Sequence, residues 1–353
     1  MLLIKLLKYM AIKMLGSSLN DLEYLTKKEF EKKWESKLRH DLDIDGKILS
    51  SIKKRKYEYL NVKNIKLRRR GDGYIANFED IELSKEDEKK IKNRRDVSTF
   101  LNEIIRDSAM VSGLLELEST SFIQKIEELK KQDYLTIVPD TQIVARQLLH
   151  KQILPLMKEE VNWIQVVIPS CIVWELENRA DQKGKEKYFG YRGLQEIQIL
   201  KNQYPTFIVE DRPEIHLTMP RQVEGTKERN IRYDHLICRQ TKEFMKHTEH
   251  FKNVYFITGD QTLASIARVM DIETVYAPPT ALSKSKLNSP FYSILRGGWV
   301  HIPTTHFLWS LVHIFTEIII KSETKKISIS SYYKDKTPED WLNGKILIKN
   351  YSK

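Results

Sequence analysis

Between Asp133 and about residue 280, the chain alternates short apolar runs with stretches in which apolar residues recur at helical spacing. The apolar runs have the length and β-branched content of buried strands, and the periodic stretches indicate amphipathic helices. Strands that alternate with helices predict a parallel sheet covered by helices on both faces. The predicted strands are residues 134–139, 163–169, 206–210, 253–258 and 274–279, and the predicted helices are residues 141–156, 170–182, 193–202, 232–247 and 261–272.

The preceding part of the chain has a different pattern. Residues 1–132 are dense in charge, with helical spacing over residues 19–38 and 98–131. Between these two stretches, the turn sequence at Gly71–Gly73 separates two β-prone runs and predicts a β-hairpin. We therefore expect a mostly helical N-terminal domain with one hairpin. The apolar opening, residues 1–15, is interrupted by lysines, as in an amphipathic helix and unlike a cleaved signal peptide.

A boundary is expected near residue 280, where two prolines precede a polar stretch. This makes residues 133–280 one α/β domain and residues 281–353 a small C-terminal α/β extension whose role the sequence does not reveal. The longest apolar run in the extension, residues 307–320, falls short of the ~20 residues that span a bilayer. The sequence thus predicts a cytoplasmic protein without stable membrane insertion.

The amino-acid composition bears on the charge of the binding partner. The chain has 353 residues, with 59 Lys and Arg against 48 Asp and Glu, and a formal net charge of +11. This excess favours a polyanionic partner, although a lysine-rich but otherwise ordinary soluble protein has the same balance. The two cysteines, Cys171 and Cys238, are far apart and belong to no group with zinc-ligand spacing.

Four carboxylates occupy corresponding places in the predicted α/β domain. Asp140 and Asp260 follow strands directly, whereas Glu175 and Asp234 lie in the first turns of helices. The carboxyl ends of parallel strands meet at one edge of a sheet, so we expect these acids to converge there. Each acid also has a simpler explanation, because Asp at a strand end often caps a helix. Glu177 is a rival of Glu175, but Glu175 shares the apolar helix face.

Convergence of four carboxylates has an electrostatic cost. Two carboxylates ~4 Å apart repel by about 4 kcal/mol at an effective dielectric constant of ~20. Such a cluster takes up protons or binds cations, and an all-oxygen ligand set suits Mg²⁺ or Mn²⁺ better than Zn²⁺. The sequence therefore predicts a divalent-metal site at the carboxyl edge of the sheet.

The motifs PDTQIV, IPSCIVWELE, RYDHLI and TGDQTLASIARVMDI, in this order, resemble those of the PIN-domain nucleases. The resemblance covers about residues 133–280. It implies a PIN-like fold and a metal-dependent endoribonuclease that cuts single-stranded or structured RNA to leave 5′-phosphate and 3′-hydroxyl ends. It also implies a catalytic and metal-binding quartet with two supporting threonines. These residues are Asp140, Glu175, Asp234 and Asp260, with Thr141 and Thr258.

Basic residues close to these motifs are candidates for RNA binding. The stretch GKEKYFGYRGLQEI resembles a glycine-punctuated basic loop of larger PIN proteins, and its aromatic residues are suited to stacking on bases. A solvated loop without a ligand is the alternative for each lysine. The candidates are Lys183, Lys185, Lys187, Arg192, Arg146 and Arg268.

One departure from the family pattern leaves a second reading open. Many PIN enzymes have a further acid shortly after the fourth, where this chain has Gln261 or Thr262. Glu196 or Glu177 is a candidate substitute, and the number of metal ions is undecided. The alternative function is a non-catalytic RNA-binding or scaffolding protein on a PIN-like fold. The sequence does not choose between internal and terminal cutting, and a homo-oligomer stays open.

Overall fold

The computed structural model describes residues 22–35, 37–38, 40–53, 56–70, 73–77, 80–92, 96–114, 117, 119–209, 226–247, 253–278, 292–295, 298–321 and 325–352. The helix expected over residues 1–15 lies outside these ranges. The chain forms two compact units. The first combines Met1–Leu114, Lys183–Lys185 and Leu282–Lys353, and the second combines Leu115–Gln182 and Glu186–Ala281. The predicted N- and C-terminal domains, residues 1–132 and 281–353, are thus largely parts of one unit.

The N-terminal part contains more strand than its sequence pattern indicates. Strands β2 and β3 have 12 and 15 residues, so the prediction of a mostly helical domain is corrected. The predicted hairpin is present, because β3 and β4 pair antiparallel with Arg70 opposite Gly73. The elements are β1 (Leu22–Leu25), α1 (Lys27–Trp34), β2 (Leu42–Lys53), β3 (Lys56–Arg70), β4 (Gly73–Asn77), β5 (Glu82–Leu83), α2 (Lys85–Lys92) and α3 (Val97–Ser112).

The central part alternates strands and helices, as predicted. Its five-stranded sheet has the order β10-β9-β6-β7-β8, and every pairing in it is parallel. The helix expected over residues 141–156 is broken, with Leu149–Ile153 forming a π-helical turn. The elements are α4 (Thr120–Leu129), β6 (Tyr134–Pro139), α5 (Thr141–Ala145), α6 (Leu154–Met157), β7 (Trp163–Pro169), α7 (Ser170–Ala180), α8 (Lys185–Gln203), β8 (Thr206–Val209), α9 (Thr226–His247), β9 (Val254–Thr258), α10 (Gln261–Val269) and β10 (Thr274–Tyr276).

The C-terminal part completes the sheet of the first unit. Its strands β13, β14 and β15 lie between β1 and β2 in the antiparallel order β1-β15-β14-β13-β2-β3-β4. Helix α11 is buried along nearly its whole length, and no helix among the described residues is long and apolar enough to cross a membrane. The elements are β11 (Tyr292–Leu295), β12 (Gly298–His301), α11 (Thr304–Phe315), β13 (Glu317–Lys321), β14 (Lys325–Ser330), α12 (Pro338–Leu342) and β15 (Ile346–Ser352).

Candidate active site

Two of the four acids follow neighbouring strands of the parallel sheet. Strands β6 and β9 pair with Pro139 opposite Ile257, and Asp140 and Asp260 come one and three residues later. The Asp140 N–H donates to the Ile257 carbonyl at 2.9 Å, which extends the pairing to the residue that bears the carboxylate. Because the strands are parallel, both acids lie at the same edge of the sheet.

The Asp140 carboxylate is buried and fully engaged by neighbouring groups. Its Oδ1 accepts the Ile143 N–H at 2.7 Å and so caps α5, and its Oδ2 accepts the Thr258 hydroxyl. Burial raises the pKa of Asp140, and the nearby charge of Glu175 adds to the rise. The hydrogen bonds and the charge of Arg146 oppose this rise. Asp140 is therefore both a helix cap and a member of a charged cluster.

Two threonine hydroxyls join the acids into one network. The Thr258 hydroxyl donates to Asp140 Oδ2 and accepts the N–H of Asp260 at 3.0 Å. The Thr141 hydroxyl donates to Glu175 Oε2 at 2.6 Å. Both threonines are buried, so their hydroxyls fix the carboxylates without competition from bulk water.

Glu175 also has a cationic partner on its own helix. Arg179 Nε and Nη2 lie 3.2 and 2.7 Å from Glu175 Oε1, one helical turn further along α7. The third guanidinium nitrogen, Nη1, lies 3.6 Å from Glu186 Oε2 on α8. Burial alone would lower the pKa of Arg179, but Glu175 and Glu186 raise it, so the guanidinium stays charged beside the acids.

The charge of Asp234 is the least compensated of the four. It lies about two turns into α9, which begins at Thr226. Burial, followed by the negative charges of Asp260, Glu175 and Asp140, raises the pKa of Asp234 to about 7. The four acids therefore lie close enough for each charge to act on the others, although they come from four different elements.

Asp260 has the simplest local role. It is exposed, and its Oδ1 accepts the N–H groups of Thr262 and Leu263 at 2.7 and 3.1 Å, which caps α10. Asp140 caps α5 in the same way. Capping thus accounts for the place of these two acids in the sequence but not for Glu175 or Asp234, which lie inside helices.

The chemistry of this donor set fits a hard divalent cation. It consists of carboxylate oxygens whose mutual repulsion, visible in the raised pKa of Asp234, a cation would relieve. The side chains do not form a complete metal site in their present positions. No three acidic, His or Cys side chains in the described ranges form a group that could hold a metal ion. The residues fit the cation by the chemistry of their oxygen atoms, and Arg179 holds Glu175.

Comparison with known proteins identifies the domain that carries this site. Residues 137–277 match the family model described as PIN domain. The central part of the chain belongs to the PIN-domain family. Among solved structures, the chain is similar to a domain of a functionally unknown protein from Methanocaldococcus jannaschii DSM 2661, with 20% identity over 42% of this chain and 95% of that chain. That TM-score, 0.31, is too low to support any argument. None of the curated proteins matches the chain significantly.

The basic loop expected in the PIN domain is a helix instead. Lys185–Gln203 forms α8, in which Gly190 and Gly193 lie in close contact with α7. A Cβ on Gly190 would lie 2.3 Å from the Ala180 backbone nitrogen, and one on Gly193 would lie 2.3 Å from a Leu176 methyl carbon. The glycine-punctuated basic loop that the family resemblance implied is therefore helical from Lys185 onward.

Two aromatic residues of that helix are not available for stacking on bases, whereas Tyr191 is half-buried. Tyr188 and Phe189 are buried, as is Arg192, which donates to the Tyr188 hydroxyl at 2.8 Å. RNA binding by Arg192 stays a prediction, for a side chain that is buried in this structure. Lys185 Nζ lies 2.9 Å from Asp107 Oδ2, and Lys183 lies over the ring of Tyr57.

The other basic candidates have more accessible positions. Lys187 is partly exposed near Tyr191, and Arg268 is exposed on α10. Arg146 is half-buried over the ring of Phe189. RNA binding by these three residues and by Lys183 and Lys185 stays a prediction.

Sequence reasoning missed Arg179 and Gln240. The Glu-x-x-x-Arg spacing within α7 is a recognised helical pair and was the available signal for Arg179. Gln240 on α9 accepts the Cys171 N–H and donates to Ser170, each at 3.2 Å, and so ties α9 to the start of α7. No local pattern marks a contact so distant in sequence.

The two candidates for the missing fifth acid of the PIN site have different surroundings. Glu196 is fully buried, where its carboxylate accepts the His150 N–H at 3.0 Å and pairs with the His150 ring. Glu177 is exposed, as expected for the solvated member of its pair with Glu175. Gln261 and Thr262, which stand at the usual place of that acid, are both exposed.

Proposed function

We propose that the PIN domain is a divalent-metal-dependent ribonuclease that hydrolyses RNA phosphodiester bonds. Proteins of this family are in general nucleases. The observation that carries the proposal is the network in which the Thr258 hydroxyl joins Asp140 to Asp260 and the Thr141 hydroxyl binds Glu175. Asp234 is half-buried and close enough to these three acids for their charges to raise its pKa. An arrangement that costs folding stability without forming a structural pair is typical of a functional site.

The roles of the side chains follow from their contacts. Asp140, Glu175, Asp234 and Asp260 would hold Mg²⁺ or Mn²⁺, which when bound supplies charge neutralisation of the scissile phosphate and lowers the pKa of a water nucleophile. Thr258 fixes Oδ2 of Asp140, and Thr141 fixes Oε2 of Glu175. These bonds restrict the rotation of the two carboxylates.

The proposed substrate is single-stranded or structured RNA, cut to leave 5′-phosphate and 3′-hydroxyl ends. The net charge of +11 supports a polyanionic substrate. The expected location of the protein is the cytoplasm. We assign contacts with the phosphate backbone of the RNA to five of the basic candidates. These residues are Arg146, Lys183, Lys185, Lys187 and Arg268.

The test is Asp140→Asn. Asn keeps the helix cap on α5 and removes a buried charge, so cleavage of a fluorescent single-stranded RNA with Mn²⁺ should be lost while the melting temperature is unchanged or higher. Glu177→Gln is the matched control, because it removes an exposed carboxylate from α7 and should cleave at the wild-type rate. Cleavage that persists in Asp140→Asn would contradict the proposal.

Two observations favour a second candidate, a non-catalytic RNA-binding or scaffolding protein. Arg179 already neutralises Glu175, and Gln261 and Thr262 stand where many PIN enzymes have a further acid. This alternative predicts RNA binding that weakens steeply with salt but no product in any divalent metal. A gel assay that measures binding and cleavage in the same reaction separates the two functions.

A further inference from the structure

Arg179 holds Glu175 in a way that bears directly on metal binding. Two of its nitrogens donate to the same oxygen, Oε1, while Thr141 donates to Oε2. Both oxygens of Glu175 are therefore engaged by donors. A carboxylate in this condition presents less free lone-pair density to a cation than Asp234, for which no hydrogen-bond or ion-pair partner is found among the described residues.

The charge of Arg179 acts on more than one acid. The guanidinium is only 15% exposed and is influenced by Asp140 as well as by Glu175 and Glu186. It thus lies within the cluster that would hold the cation. The acids are coupled through their charges, yet no three of the described acidic, His or Cys side chains form a group ready to hold a metal ion.

We propose that Arg179 is an internal counter-cation that competes with a divalent metal ion for Glu175. This proposal rests on the proposed metal dependence of the site. Binding of the cation has to break or rearrange the two bonds from Arg179 to Oε1, so Arg179 sets the threshold concentration of metal at which the site fills. Arg179 is a positioning residue that acts through Glu175.

The planar guanidinium makes a two-nitrogen contact with Glu175, and the test variants weaken or remove this contact. Its two nitrogens reach one carboxylate oxygen together, whereas a lysine ammonium is a single point charge on a flexible stem. Arg179→Lys therefore keeps the positive charge but loosens Glu175. Arg179→Gln removes both the positive charge and the two-nitrogen contact with Glu175.

Arg146 provides a matched control for charge alone. Its positive charge lowers the pKa of Asp140, so Arg146→Gln removes a charge of the same sign from the same cluster. Any general electrostatic gain in cation affinity appears in this variant too. If Arg179→Gln raises the affinity for the cation more than Arg146→Gln does, the difference is due to the contact between Arg179 and Glu175.

The experiment measures the Kd for Mn²⁺ of the full chain by electron paramagnetic resonance of free Mn²⁺, at pH 8, where Asp234 is ionised. Arg179→Lys should bind Mn²⁺ about threefold more tightly than wild type, since the charge is retained and only the two-nitrogen contact is weakened. Arg179→Gln should exceed the gain of Arg146→Gln by about the same factor. A purely structural role would lower the melting temperature without tightening Mn²⁺ binding.

The outcomes separate this inference from the proposed nuclease function. Wild-type affinity in Arg179→Lys, together with equal gains in the two glutamine variants, overturns the inference even if the protein cleaves RNA. Tighter Mn²⁺ binding without any RNA cleavage supports the inference and overturns the nuclease proposal. If no variant binds Mn²⁺ at millimolar concentration, both are overturned.

Discussion

The hydroxyl of Thr258 lies between two of the four acids. It donates to Asp140 and accepts from the Asp260 backbone, within a side chain that is fully buried. No other donor replaces the hydroxyl on Oδ2 among the hydrogen bonds of the described residues. The position therefore requires an alcohol of this size for the Asp140 carboxylate to remain satisfied.

Thr258→Val should reduce the free energy of unfolding by about 1–3 kcal/mol, because it leaves a buried acceptor without its partner at nearly unchanged volume. Urea denaturation measures the change. Thr262→Val is the control, since Thr262 is exposed on α10 and its loss should be nearly neutral. Equal effects of the two substitutions would show that the Thr258 hydroxyl is not important for stability.

Asp234 predicts a pH dependence of stability. Its pKa is about 7 in the folded protein against an ordinary value of 3.8, so the folded state binds the proton more tightly than the unfolded state. The resulting stability is fully present below about pH 4 and is lost as the pH rises through about 7. With a chelator present, we expect a loss of about 1–2 kcal/mol by pH 8, after allowance for solvent screening.

Asp234→Asn should remove most of this decline in urea unfolding curves recorded between pH 5 and pH 8. Glu177→Gln, which removes an exposed carboxylate, should retain it. Asp140 contributes in the same direction, because burial also raises its pKa. An unchanged pH profile in Asp234→Asn would mean that burial and the other three carboxylates do not raise the pKa of Asp234.

Among the helices, close packing of α7 and α8 sets the position of Glu175. A Cβ on Gly190 would lie 2.3 Å from the Ala180 nitrogen and 2.6 Å from the Leu176 carbonyl oxygen. Both are backbone atoms, which cannot relieve the clash by a change of side-chain rotamer. The sequence pattern of this glycine resembled a flexible loop, because glycine at a helix–helix contact and glycine in a loop look alike without the partner helix.

Gly190→Ala should therefore force α7 and α8 apart and lower the free energy of unfolding by about 1–3 kcal/mol or more. The melting temperature reports this loss. Gln198→Ala serves as the control on the same helix, because Gln198 is exposed and alanine favours the helix. A Gly190→Ala protein as stable as wild type would show that the two helices can separate without cost.

Across the whole molecule, the sheet of the first unit is assembled from both ends of the chain. Strand β13 pairs with β2, and β15 pairs with β1. Gly46 on β2 leaves space for the ring of Phe315, since a Cβ there would lie 2.1 Å from the ring. The sequence predicts separate N- and C-terminal domains at this place, because hydrogen bonds between distant strands leave no local pattern.

Removal of residues 282–353 should leave β2 with an open edge and expose the core that α11 covers. We expect the fragment 1–281 to aggregate in size-exclusion chromatography at concentrations where the full chain does not. Co-expression of residues 282–353 as a separate polypeptide should restore solubility. A monomeric, cooperatively melting fragment would contradict the shared sheet.

The sequence by itself determined the alternation of strands and helices in the PIN domain and the places of its acids along the chain. Strand and helix periodicity is local, and parallel strands necessarily bring their carboxyl ends to one edge. Tertiary structure alone decided that Arg179 engages Glu175 beside Asp140, that α8 is a packed helix, and that both chain ends share a sheet. These features depend on contacts between elements that are distant in the sequence. The hydrophobic periodicity of one element does not reveal the free energy of its contact with another.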